Sequence, residues 1–152
     1  MKSELKESIE KCVLCWLATS TPSGEPNVSP KEAFTHYGDD SIIIANIASP
    51  NTVKNIEQNA NVCISFIDVF VQKGFQVKGT AQIVKKDASD YSEMKSSLLT
   101  LVGEKFPFDS ITQIHIEHTK PIIAPSYFIY PETTEQQQIE SAYQTYGLTV
   151  KK

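Results

Sequence analysis

The sequence predicts an α+β fold, mainly β, in which a small antiparallel barrel carries peripheral helices. Three observations lead there. Short runs of β-branched and aromatic residues recur between turn signals. Helical patterns are inserted among those strands without the regular alternation of a parallel sheet. Neither G-x-G-x-x-G nor G-x-x-x-x-G-K-[ST] occurs, which counts against a doubly wound nucleotide-binding sheet. At 152 residues the chain makes one domain, and its 7 Phe, 6 Tyr and 1 Trp are ample for a β-rich core.

The elements follow in order. Residues 3–11 form a short amphipathic helix with Leu5 and Ile9 on one face. Cys12 to Ser20 is extended and stops at the turn Thr21-Pro22-Ser23-Gly24. A second strand spans 26–34; its Pro30 cannot donate to a ladder, which places it at an edge, a bulge or an opening of the sheet. After a turn at Tyr37-Gly38-Asp39-Asp40, Ile42-Ile43-Ile44 begins a third strand, because branching at Cβ favours an extended backbone. That run breaks into a helix, with Ser49 as cap, Pro50 at the first position, and Val53 and Ile56 continuing to about Asn59.

Residues 62–71 are apolar on both faces and predict a strand buried on both sides. Residues 75–84 alternate cleanly, with Phe75, Val77, Gly79, Ala81 and Ile83 facing in and Gly79 placed for a bend or bulge that helps close the barrel. Asp87 to about Gly103 is the longest helical pattern, with Met94, Leu98, Leu101 and Val102 as its stripe. Ile111 to His118 returns to β alternation. A polar, Gln-rich helical arm at about 132–148 ends the chain, with Ile139, Ala142, Tyr143 and Tyr146 on the side that lies on a neighbouring surface.

Charge and composition exclude several function classes. The net charge of −4 and the scattered lysines lack the basic stripe of a nucleic-acid binder. No apolar run approaches the roughly 18 residues of a membrane span, and the charged amino terminus is unlike a signal peptide, so a soluble cytoplasmic protein is expected. Three cysteines, Cys12, Cys15 and Cys63, read as reduced, buried small hydrophobes; on a strand Cys12 and Cys15 point to opposite faces. No metal site is expected, because His115 and His118 also fall on opposite faces of a strand. There is no G-x-S-x-G elbow for acyl transfer.

What remains is polar chemistry gathered at strand ends: Ser29-Pro30-Lys31, Asn46 to Thr52, and Gln72-Lys73-Gly74-Phe75. A helix start carrying Ser49, Asn51 and Thr52 presents free amides beside hydroxyls and a side-chain amide, which suits a phosphate. Lys31, Lys54, Lys73 and Lys78 are the candidate cations for it.

As an ordered set, Leu17-Ala18-Thr19, residues 24–31, residues 49–56, Val62-Cys63-Ile64 and residues 74–79 resemble the pyridoxamine 5′-phosphate oxidase-like family of FMN-binding split β-barrels, over about residues 10–122. The resemblance implies a six-stranded split barrel in a single domain over 1–152. It also implies a homodimer with FMN at the subunit interface and a flavin-dependent oxidoreductase acting on a small molecule with a reductant. A non-catalytic module for flavin, haem or deazaflavin is the alternative. Its implied cofactor residues are Ser29, Pro30 and Lys31 beside the ring, Asn46, Ile47, Ala48, Ser49, Asn51 and Thr52 around ring and phosphate, Asn55 on the helix, and Lys73 and Gly74 at a strand entry. Asn51 stands where relatives commonly carry Lys or Arg, so the cation must come from elsewhere, with Lys54 and Lys73 as candidates. True pyridoxamine phosphate oxidases end in an Arg-rich segment, whereas residues 144–152, like the whole chain, contain no Arg. That departure speaks against oxidation of that substrate, and no catalytic residue is assigned.

Overall fold

The computed structural model describes residues 1–103 and 105–149. Of the arginine-free terminal segment, residues 150–152 lie outside the described residues. One curled, fully antiparallel sheet of seven strands forms the body, in the order β2-β1-β5-β6-β7-β4-β3. The strands are β1 (Cys15–Ser20), β2 (Pro26–Lys31), β3 (Phe34–Tyr37), β4 (Ser41–Ala45), β5 (Asn61–Asp68), β6 (Lys73–Lys85) and β7 (Ser110–Ile123). The helices are α1 (Ser3–Lys11), α2 (Pro50–Gln58), α3 (Tyr91–Val102), α4 (Ser126–Ile129) and α5 (Glu135–Tyr146).

The expected six strands become seven because residues 26–34 are not one strand. The chain leaves the β1 ladder after Lys31 and joins β4 at Phe34, with only Glu32 and Ala33 between. β2 and β3 are therefore the two outer strands of the sheet, tied by two residues, and the sheet has to curl to bring its edges together. This makes the fold a split barrel, as expected. Gly79 also sits where its place in the alternation suggested: the β6–β7 register shifts between Lys78 and Gly79, and a Cβ there would run into the backbone carbonyl of His115.

Two burial expectations exchange places. In β5, Val62, Ile64 and Phe66 are buried, while Cys63 and Ser65 are half-buried and Ile67 is exposed, so only one face is covered. β4 is the strand buried on both sides. Ile42 and Ile44 face the barrel core with Leu17, Phe34, Ile64 and Phe66, whereas Ile43 and Ala45 pack beneath Met94 and Leu98 of α3. Each fully buried Ile contributes roughly 1.5–3 kcal/mol, and three in succession anchor the strand that feeds α2. The cover decides the difference: α3 lies over β4, and among the described residues no such helix packs on the outer face of β5.

Leu5 and Ile9 dock α1 onto the core, as predicted. α3 starts later than the sequence suggested, and Leu101 is exposed, leaving Tyr91, Met94 and Leu98 as the buried stripe. α5 has a full capping box between Thr134 and Gln137 and ends at left-handed Gly147. Its Tyr143 meets Phe70 edge-on, with ring centres 5.5 Å apart, so the arm lies on the β5–β6 turn of its own chain, and Tyr146 stays exposed. Among the described residues no helix is long and apolar enough to cross a membrane.

Candidate functional site

The head of α2 is built by the strand that precedes it. β4 ends at Ala45, and Asn46 fastens that end to the start of β7. Its backbone amide donates to the Ser110 carbonyl (3.1 Å), its side-chain amide to Ser110 Oγ (3.1 Å), and its Oδ1 accepts from Thr112 Oγ1 (2.8 Å). Ala48 then takes a left-handed φ of +50°, a conformation that costs a non-glycine residue about 1 kcal/mol and that turns the chain into the helix.

Ser49 does not cap α2 with its side chain. Its hydroxyl donates to the Ile47 carbonyl (3.0 Å) and accepts from the Lys31 ammonium. The first amides of α2 that lack intrahelical acceptors, those of Asn51 and Thr52, therefore have no side-chain partner among the described residues. Hydroxyls and amides gather beneath them. Ser29 and Thr52 share a hydrogen bond of 3.0 Å between their hydroxyls. Asn55 donates to Thr19 Oγ1 (3.1 Å), which also accepts from Asn27 (3.2 Å). These bonds fix α2 on the inward face of β1 and β2.

Lys31 is the unusual group. Only 5% of it is exposed, although lysine is almost never buried without a partner carboxylate. The lysine–carboxylate ion pairs among the described residues engage Lys6, Lys73, Lys85 and Lys86, not Lys31. Desolvation lowers its pKa below the ordinary lysine value, and the neighbouring Cys15 thiol works in the opposite sense. Cys15 is fully buried, and burial pushes its pKa up, with Lys31 pulling the other way. The thiol is therefore a small apolar neighbour and not a nucleophile.

Beside Lys31 a cleft of about 220 Å³ opens between the β2–β3 crossover, the end of β4 and the segment after α3. It is lined by Pro30, Lys31, Glu32, Ala33, Ala45, Ile47, Val102 and Phe106. The structure thus brings Ser29, Pro30, Lys31, Ile47, Ser49, Thr52 and Asn55 into one neighbourhood, with Ala48 and Asn51 exposed at its rim. Asn46 is taken up by its clasp on β7. Lys54 is exposed on α2, and Lys78 is exposed on β6.

Lys73 and Gly74 lie elsewhere in the chain. They begin β6, which β1 and β5 separate from β2. They line a larger cleft of about 560 Å³ against α1 and the start of α5. Lys73 is held there by Glu135 (2.7 Å) and by the Tyr127 ring, whose centre is 4.5 Å away. Sequence reading missed Thr19 and Asn27 beneath α2, and Val102 and Phe106 in the cleft wall. Thr19 had a faint signal, a polar residue on the inward parity of a core strand; Val102 and Phe106 had none, because only the fold brings the end of α3 to the crossover. His115, Glu117 and His118 are exposed on β7, and the described residues hold no cluster of three metal-ligating side chains.

A family model described as pyridoxamine 5′-phosphate oxidase matches residues 1–138. Among solved structures, HupZ of Group A Streptococcus is 27% identical with a TM-score of 0.67, over 78% of this chain and 91% of that one. An FMN-binding protein from Syntrophomonas wolfei is 18% identical (TM-score 0.67, 80% and 88% covered). HutZ, the haem storage protein of Vibrio cholerae, is also 18% identical (TM-score 0.65, 80% and 93% covered). No curated protein matches the chain in sequence.

Proposed function

Since the chain belongs to the pyridoxamine 5′-phosphate oxidase family, we propose that it is a homodimeric FMN-binding protein of the cytoplasm, acting as a flavin-dependent oxidoreductase on a small molecule. The observation that carries this reading is the uncapped head of α2 beside a buried lysine that no carboxylate pairs with among the described residues. Such a helix start offers amide donors and a positive field to a phosphate. The amides of Asn51 and Thr52 and the Ser29–Thr52 hydroxyl pair hold the FMN phosphate. Ser29, Pro30, Lys31, Asn46, Ile47, Ala48 and Ser49 border the ring, and Asn55 fixes the helix from below.

Lys73 and Gly74 serve the same flavin only from a second subunit, because within one chain they lie across the sheet. Other features support a second subunit. The outer face of β1, β2 and β5 exposes Trp16, Val28 and Ile67, the kind of apolar surface that marks an association face. FMN, when bound, supplies hydride transfer at its N5. This chain's residues anchor it, orient its ring and exclude water. A second reading, a non-catalytic module for flavin, haem or deazaflavin, is favoured by the cleft itself, whose titratable linings among the described residues are Lys31 and Glu32. The likeness to a haem storage protein fits it too.

Visible spectra of the purified protein, with and without added FMN, test the proposal. Absence of flavin absorbance, and of FMN binding at micromolar protein, overturns it. Bound flavin that neither a nicotinamide nucleotide nor a flavin reductase reduces assigns the second reading instead.

A further inference from the structure

We propose that the cleft beside Lys31 is the substrate subsite and that it takes a small aromatic carboxylate in preference to a phosphate ester. The inference rests on the flavin reading above, since the cleft shares Pro30, Lys31 and Ile47 with the groove assigned to the ring. Its size comes first. About 220 Å³ lies below the roughly 300–1,000 Å³ of pockets that enclose a drug-sized ligand, which leaves room for a single ring. Its walls come second. Pro30, Ala33, Ala45, Ile47, Val102 and Phe106 offer no side-chain hydrogen-bonding group, so the body of the ligand is apolar.

The one positive charge among the described lining residues comes third. Lys31 spends one donor on Ser49 and has two more N–H groups, and no carboxylate pairs with it among the described residues. A buried cation without a counter-charge is costly, and a monoanion entering the cleft relieves that cost. A phosphate dianion fits worse. One lysine leaves it with a net negative charge in an apolar cleft, and Glu32 at the rim adds repulsion. Phe106, about half exposed at the mouth, presents a ring on which an aromatic ligand can stack.

Benzoate is the probe, and methyl NMR of the full-length protein is the readout, so that the test does not depend on flavin. Saturable shifts of the Val102, Ala33 and Ala45 methyls are expected in both the FMN-free and the FMN-loaded protein. Lys31→Met should weaken benzoate by about tenfold or more, the usual scale for losing a charge-assisted contact. Phe106→Ala, an exposed substitution that leaves the core intact, should weaken it severalfold. Phenyl phosphate should bind no more tightly than benzoate. The proposal fails if no saturable shift occurs, if the shifts lie away from these methyls, if folded Lys31→Met and Phe106→Ala both bind as the parent does, or if phenyl phosphate binds more tightly. FMN binding together with benzoate failure overturns this inference alone. Benzoate binding without FMN binding overturns the flavin reading and leaves the subsite standing.

Discussion

Replacing Thr52 with Val tests the proposed phosphate anchor most directly. Thr52 is only 1% exposed, so the nearly isosteric Val keeps its volume and removes only the hydroxyl. In the ligand-free protein the loss is one neutral hydrogen bond to Ser29, and Ser29 is half-buried, so water can replace its partner. That costs about 0.5–1.5 kcal/mol, or roughly 1–6 °C in Tm for a chain of this length. In the bound state the same hydroxyl pair faces a phosphate, and a hydrogen bond to a charged acceptor contributes about 1.5–3 kcal/mol. The Kd for FMN should therefore rise roughly tenfold to a hundredfold. Riboflavin has the same ring and no phosphate, so its Kd should move by less than about twofold. Quenching of flavin fluorescence, titrated at one fixed ionic strength, measures both. Equal weakening of FMN and riboflavin would mean that Thr52 only shapes the groove, and no weakening of either in a folded variant would place the phosphate elsewhere. In a double-mutant cycle, Ser29→Ala and Thr52→Val should be non-additive for FMN, because the two hydroxyls act as one pair.

Three further outcomes follow from the same geometry. Gly79→Ala sets a Cβ against the His115 carbonyl, and overpacking of about 1–3 kcal/mol should lower Tm by several degrees; an unchanged melting curve contradicts the bulge geometry. Burial depresses the Lys31 pKa, so between that depressed value and 10.5 the unfolded chain holds more protons than the folded one, and Lys31's contribution to stability rises with pH. Denaturant titrations of parent and Lys31→Met should show their difference shifting toward the parent across that window, and a pH-independent difference counts against the burial. Cys12 and Cys15 in the native protein should resist a thiol reagent at mildly alkaline pH until the chain unfolds; prompt modification of either contradicts their burial.

Features written in local spacing are legible in the sequence by itself: the Leu5–Ile9 face of α1, Pro50 opening α2, the bulge at Gly79 and the end of α3 at Gly103. Those that depend on which surfaces meet are not. Residues 26–34 carry no mark of the break at Glu32, because the break is dictated by pairing with two different strands. The apolar run in β5 looks more buried than Ile42–Ala45 until α3 is seen to cover β4. Ser49 reads as a cap, and only the return of Lys31 along β2 shows why its hydroxyl points away from the helix. Lys73 and Ser49 both read as strand-end residues, yet the strand order sets them apart. The cleft wall at Val102 and Phe106 is silent for the same reason, since no periodicity predicts where the end of one helix meets a crossover.

The position of the site follows from the split in the barrel. β2 and β3 part at Glu32 and Ala33, and there the sheet cannot continue its ladder. Pro30, one residue before the end of β2, has no amide to donate, so the opening does not invite a further strand. Residues beside such a gap are released from pairing but still held by rigid strands on either side, which is what a binding group needs. Lys31 is the last residue of β2, Ile47 lies just beyond β4, and Phe106 follows α3; all three line the same opening. Had residues 26–34 remained one strand, as their sequence suggests, Lys31 would lie within a continuous ladder and the crossover wall of the cleft would be gone. The departure from the expected strand count and the presence of a candidate site are thus one structural fact.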